Sequence, residues 1–149
     1  MLKAAAICIT IGALQICDSY GPTIKYNTDK DCQVANIYHE ARGETLIGQA
    51  AVAEVVQNRV NDSRWANNVC DVIYQPYQFS WTGDNISDAI TDNFSKRNAE
   101  YALTLAKYHN FVGRATHYHT TDITPYWSLN PRMEYITTIG NHRFYYEHP

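Results

Sequence analysis

Apolar residues recur at helical spacing through the middle of this chain and alternate at strand spacing near its end. From Cys32 to Arg42, Val34, Ile37, Tyr38 and Ala41 fall at i, i+3, i+4 and i+7, one face of a helix that Gly43 ends. A second helix is expected from about Thr45 to Asn61. There Leu46, Ala50, Ala53, Val56 and Val60 share a face that Ile47, Ala51 and Val55 widen, so it should be buried on more than one side. Between Asn67 and Gly83 the pattern dissolves into NNVCDVIYQPYQFSWTG, read as a short helix or turn and then an irregular aromatic loop of the kind that lines clefts. Residues 87 to 109 return to helical spacing through Ala99, Ala102, Leu103 and Ala106, with Ser87 as candidate cap. Beyond Gly113, Ala115 to Thr120 alternates, and Tyr135 to Tyr146 places Ile136, Ile139 and Phe144 around Gly140-Asn141. Two or three short strands are expected there.

Ahead of these elements the pattern is different. Lys3 precedes AAAICITIGALQIC, an uncharged run that stops before Asp18. Its length suits the apolar core of a signal peptide better than a membrane span, which needs roughly twenty residues. No small-x-small cleavage pattern follows, so residues 1–17 are read as a signal peptide or a weak uncleaved anchor, as in phage lysins, with a buried first helix as the competing reading. Residues 18–30, rich in polar residues with Gly and Pro, read as a linker, and residues 31–149 as one domain.

Composition narrows the partners. A chain of 149 residues suits a single domain, and a net charge of −3 with 12 scattered Lys and Arg argues against nucleic acid. Membrane contact is expected only through the leader, if it is retained. The 12 Tyr and 3 Trp crowd the second half, where they suit either sugar platforms or half-buried sheet. Of the four Cys, Cys8 and Cys17 lie in the leader, which leaves Cys32 and Cys70 to pair in an oxidising compartment or to stay as buried thiols. The pairing is the expected outcome.

Glu40 is the leading candidate for chemistry, a lone carboxylic acid inside an apolar stripe, where desolvation keeps a proton bound towards neutral pH. Glu44 lies four residues on, close enough on a continuous helix to share acid and base roles. Past the Gly43 break it would instead support the second helix or bind Arg42 or Arg59. Candidate sugar contacts are Tyr77, Gln78, Ser80, Trp81, His117, Tyr118, His119, Tyr126 and His142. His117 and His119 also form an H-x-H pair that points to one face of a strand and, with His39 or His142, suggests zinc; the H-E-x-x-H spacing is missing. No metal or cofactor is expected. Gly140-Asn141 reads first as a hairpin turn.

The blocks IYHEARGE, GQAAVAEVVQNRV, VCDVIYQPYQFSW, ATHYHT and IGNHRFY, in that order, resemble the SleB/CwlJ-like cell wall hydrolase family, over about residues 32 to 146. The resemblance implies a small α+β, lysozyme-like domain whose helical part packs with a short antiparallel sheet around a glycan cleft. It places the catalytic glutamate at Glu40. It further implies cleavage of peptidoglycan strands between N-acetylmuramic acid and N-acetylglucosamine by lytic transglycosylation, for which one carboxyl group suffices where hydrolysis generally needs two. Export to the periplasm or cell envelope follows, by a phage-encoded or Gram-negative enzyme rather than a spore enzyme. Two rival classes remain: a zinc-dependent peptidoglycan peptidase using His117 and His119, and a non-catalytic glycan-binding module.

Overall fold

A computed structural model describes residues 7–11, 14–18, 25–84 and 88–149. The rest of the leader and linker, and the candidate cap Ser87, lie outside the described residues. Within the leader the backbone of Ile7–Ile11 (β1) pairs antiparallel with Leu14–Asp18 (β2). Among the described residues no helix is long and apolar enough to cross a membrane.

Four helices follow, each started by a polar side chain that answers a free amide. Thr28 caps Asp29–Ala41 (α1), accepting from the Asp31 amide at 3.1 Å, so α1 begins inside the stretch read as linker. Thr45 caps Leu46–Val60 (α2), Asn68 caps Val69–Tyr74 (α3), and Asp92 caps Asn93–Tyr108 (α4). Each cap contributes about 1 kcal/mol. The fourth helix therefore starts later than its apolar spacing suggested, because Asp92 supplies two acceptors, to the Phe94 and Ser95 amides.

Helix α2 is the centre of the domain, as its broad apolar surface demanded. Ala53 meets Val34 and Ile37 of α1 and Ala99 of α4; Val56 joins Cys32, Val72, Ile73, Phe79 and Trp81; Ala51 and Val55 meet Val112, Ala115 and Phe144 beside the sheet. Each fully buried Val, Ile or Phe here contributes about 1.5–3 kcal/mol. A Cys32–Cys70 disulfide, with Cα atoms 5.5 Å apart, ties α1 to α3.

Three strands complete the α+β domain: His117–Thr120 (β3), Met133–Ile139 (β4) and His142–Glu147 (β5), antiparallel in the order β3-β5-β4. The β4–β5 hairpin turns through Gly140 and Asn141, with Ile139 opposite His142. Gly140 has a φ of +57°, and a Cβ there would collide with the Glu44 carboxylate. Only glycine meets both demands. Gly140→Ala is expected to lose about 2 kcal/mol from the backbone conformation alone. It should also displace Glu44. Urea unfolding checks this, and an unchanged midpoint would mean that the turn is not held in this way.

Candidate active site

Glu40 lies in the last turn of α1, where the helix's own carbonyl ends disfavour a negative charge. Its half-buried carboxylate accepts a hydrogen bond from the Tyr118 hydroxyl at 3.0 Å. Burial pushes the Glu40 carboxyl above the ordinary carboxylate range, outweighing the Tyr118 hydrogen bond and the Arg59 charge, which pull it down. The Tyr118 hydroxyl is itself raised well above its usual value, first by burial and then by the neighbouring Glu40, so it stays a donor. A carboxyl group arranged like this can hold a proton, give it up, and remain supported as an anion.

The cleft around Glu40 holds about 370 Å³. One side is Glu40, Ala41, Gly43 and Glu44 from the α1–α2 corner; the other is Thr120, Thr121, Asp122, Asn141 and His142 from the ends of β3 and β5. A larger hollow of about 550 Å³, between α1, α2 and α4, is lined by neither Glu40 nor Glu44. The smaller one is lined by Glu40, whose carboxyl is raised by burial.

Glu44 binds neither Arg42 nor Arg59. Its two oxygens accept from the Asn141 amide and the Asn141 side-chain nitrogen, both at 3.1 Å. The α1–α2 corner is thereby tied to the hairpin turn, which carries His142 into the cleft. Asn141 is thus a turn residue and an anchor at once. Arg42 instead reaches its own helix, donating to the Tyr38 carbonyl at 3.4 Å and lying 5.0 Å from the Tyr38 ring.

The histidines do not converge as a zinc site. His119 Nδ1 faces the Thr120 carbonyl at 2.8 Å and its Nε2 the Tyr145 hydroxyl at 3.0 Å, an arrangement satisfied by the Nδ1–H tautomer. His117 meets Thr116 Oγ1 through Nδ1 and packs beside Trp65 and Trp127; burial, with help from Arg59, brings it down to about 4. His39 faces the Asp88 carbonyl at 3.2 Å and stacks on Trp81. Among the described residues no three His, Cys, Asp or Glu side chains come together to hold an ion. His142 does reach the cleft, buried edge-on to Tyr118 at 5.1 Å, and burial lowers its pKa, leaving a neutral ring.

Of the aromatic loop, Trp81 is not an open platform. It is 5% exposed and donates from Nε1 to Asn36 Oδ1 at 3.0 Å, bracing the helix that carries Glu40. The indole was legible as a sugar platform only while its depth was unknown. Tyr77 and Tyr126 are exposed, as is Ser80, and Gln78 is half-buried; none of these four lines the cleft around Glu40. Tyr77 has a φ of +66°, an unusual conformation for a bulky residue. Tyr118, read as a sugar contact, donates its hydroxyl to Glu40, and His117 and His119 are built into the sheet's packing.

Sequence reasoning missed Asp122 and Thr121 in the cleft and the burial of Arg59. Asp122 follows β3 without any motif, and a hydrogen bond from Thr120 holds its carboxyl below the usual value. Arg59 did carry a signal: a cation on a helix whose neighbouring turns are apolar is placed to be buried.

A family model described as Cell Wall Hydrolase matches residues 43–145, starting just after Glu40. The spore cortex-lytic enzyme of Halalkalibacterium halodurans is 34% identical over 119 residues, which is 78% of this chain and 35% of that protein. A spore cortex-lytic enzyme of Bacillus cereus is 32% identical over 108 residues, 72% of this chain and 40% of that protein. The matched part of the chain thus spans well under half of these relatives. Among solved structures, the catalytic domain of the germination-specific lytic transglycosylase SleB from Bacillus anthracis superposes with a TM-score of 0.65 at 29% identity, covering 81% of this chain and 97% of that domain. The SleB catalytic domain of Bacillus cereus gives 0.64 at 29% identity, covering 86% and 97%.

Proposed function

Since this chain belongs to the cell wall hydrolase family and has a lysozyme-like α+β fold, we propose that it cleaves the glycan strands of peptidoglycan between N-acetylmuramic acid and N-acetylglucosamine, as a lytic transglycosylase with Glu40 as its single acid and base. The observation that carries this reading is the raised carboxyl of Glu40, hydrogen-bonded by Tyr118, on the wall of an open cleft. Protonated Glu40 gives its proton to the glycosidic oxygen as the C1–O bond breaks. The resulting carboxylate takes the proton of the muramic C6 hydroxyl, whose oxygen closes on C1 to leave a 1,6-anhydro end. Water takes no part, and Glu40 ends the cycle protonated. The relatives named as spore cortex-lytic enzymes and SleB as a lytic transglycosylase support this choice.

A second reading has an observation behind it. Asp122 lines the same cleft and is held ionised, which suits a base that activates water, and hydrolysis by inversion needs such a partner. Glu44 suits that role less, since both of its oxygens are engaged by Asn141. Mass spectrometry of digested peptidoglycan separates the readings. We expect anhydro-muramic ends, undiminished by EDTA, and activity within about threefold of wild type in Asp122→Asn. Reducing ends with a loss of about a hundredfold in Asp122→Asn would establish hydrolysis instead. Free peptides whose release stops with EDTA and returns with zinc would mean a metal-dependent peptidase.

Such a substrate lies outside the cytoplasm, and export through the apolar leader is part of the proposal. The Cys32–Cys70 disulfide supports an oxidising compartment. A phage-encoded or Gram-negative envelope enzyme fits these features.

A further inference from the structure

We propose that Arg59 is a positioning charge for the reaction, a guanidinium buried between α2 and the start of β3 that stabilises the Glu40 carboxylate once its proton has been given away. The proposal rests on the reading of Glu40 as the acid and base.

Arg59 is 5% exposed, in the last turn of α2. Its Nε donates to the Thr116 carbonyl at 2.7 Å, and the guanidinium lies 4.2 Å from the Trp65 ring centre and 5.5 Å from that of Phe79. Thr116 continues the β3 ladder, its amide donating to the Tyr145 carbonyl at 2.8 Å. Arg59 is thus anchored at the start of the strand that carries Tyr118, and the Trp65 and Phe79 rings beside its guanidinium pack in the same apolar cluster as Tyr118. Tyr118 in turn donates to Glu40 at 3.0 Å. One strand thus joins the two groups: Arg59 holds its Thr116 carbonyl and its Tyr118 hydroxyl holds Glu40.

What this cation lacks is as informative. Among the described residues it forms no ion pair, and its Nη1 is buried without a hydrogen-bond partner. A buried, unpaired charge is costly, and a tie between α2 and β3 could be made by a neutral donor. Burial lowers the guanidinium only to about 10, so it remains charged at neutral pH, and the charges it feels are those of Tyr118 and Glu40. While Glu40 is protonated the cation is uncompensated. When Glu40 becomes a carboxylate, the two charges attract across a desolvated gap. Support that strengthens as the proton leaves lowers the barrier, whereas constant support does not.

Other groups around the acid do not duplicate this. Glu44, Asp122 and His142 line the cleft, and His39 precedes Glu40 on α1. Glu44 is engaged by Asn141, Asp122 carries the wrong charge, His142 is neutral, and His39 stacks on Trp81 and faces the Asp88 carbonyl. Arg59 is the cation whose charge reaches Glu40.

The test follows the Glu40 carboxyl by carbon NMR against pH, alongside steady-state cleavage of purified peptidoglycan. In Arg59→Met we expect the Glu40 titration, and the alkaline limb of the pH–rate profile with it, to move up by about one pH unit. We further expect kcat to fall about thirtyfold with KM within about twofold. Arg59→Lys, which keeps a charge, should restore most of the titration. A folded Arg59→Met protein whose Glu40 titrates as in wild type would overturn the proposal. Should that variant not fold, the Arg59 Nε–H resonance is followed in wild type and in Glu40→Gln. It should shift with the Glu40 titration in the first and stay flat in the second, and a flat response in both overturns the coupling. If the coupling is present yet Glu40→Gln cleaves like wild type, the failure lies with Glu40 as acid, and the proposal falls with it.

Discussion

Glu40→Gln should lower peptidoglycan cleavage by about a thousandfold while making the protein more stable at neutral pH. The activity loss follows from chemistry: the amide keeps the shape and still accepts from Tyr118, but it has no proton to give to a leaving oxygen. The stability gain follows from the same burial that equips the acid. Glu40 titrates above its ordinary 4.5 in the fold, so the unfolded chain gives up that proton first as pH rises. Below 4.5 both states keep the proton and the glutamate carries no penalty. Above the raised folded value the fold bears the whole cost of an ionised, desolvated carboxylate. Glutamine removes that cost, so the melting temperature of Glu40→Gln should exceed that of wild type at pH 7 to 8 and converge with it near pH 4. Thermal melts across this range, beside product analysis, read both effects. Residual activity above a tenth of wild type would remove Glu40 from the acid role. A stability difference independent of pH would mean that desolvation is not what perturbs it.

The largest effect on stability is expected from the disulfide. Cys32 and Cys70 are 38 residues apart, and releasing a loop of that length restores about 4 kcal/mol of conformational freedom to the unfolded chain. In Cys32→Ala with Cys70→Ala, urea unfolding should therefore lose about 4–5 kcal/mol, since alanine also leaves some space unfilled beside Val56, Val72 and Ile73. Glu40 stands more than two turns along α1 from Cys32, so a sample that is still folded should keep most of its activity. A loss below about 1 kcal/mol would show that packing alone holds α1 against α3.

How much of this was legible beforehand differs by element. Helix α2 was readable because its apolar positions cover most of its circumference, a pattern that only central burial satisfies. The hairpin at Gly140-Asn141 was readable because so few residues suit its turn. The start of α4 was not: Ala99 to Ala106 gives the helical face, but its beginning depends on the caps available, and Asp92 supplies two acceptors. At the proposed site, the burial of Glu40 was legible from its apolar neighbours, and its hydrogen bond from Tyr118, 78 residues away, was not. The depth of Trp81 was not legible, because an indole in an aromatic loop looks the same whether it faces solvent or Asn36. The partner of Glu44 was not readable, since Asn141 lies 97 residues away and no local rule joins them.

By itself, then, the sequence determined those features whose physics is local: apolar periodicity, capping side chains, turn residues, and an acid placed in an apolar stripe. Its ordered blocks added the resemblance to cell wall hydrolases. Only the tertiary structure decided which polar groups face one another: Tyr118 on Glu40, Arg59 on the Thr116 carbonyl, Asn141 on Glu44, Trp81 on Asn36, and Asp122 in the cleft. Those pairings lie across contacts distant in the chain, and the strength of each depends on burial, which is a property of the assembled fold.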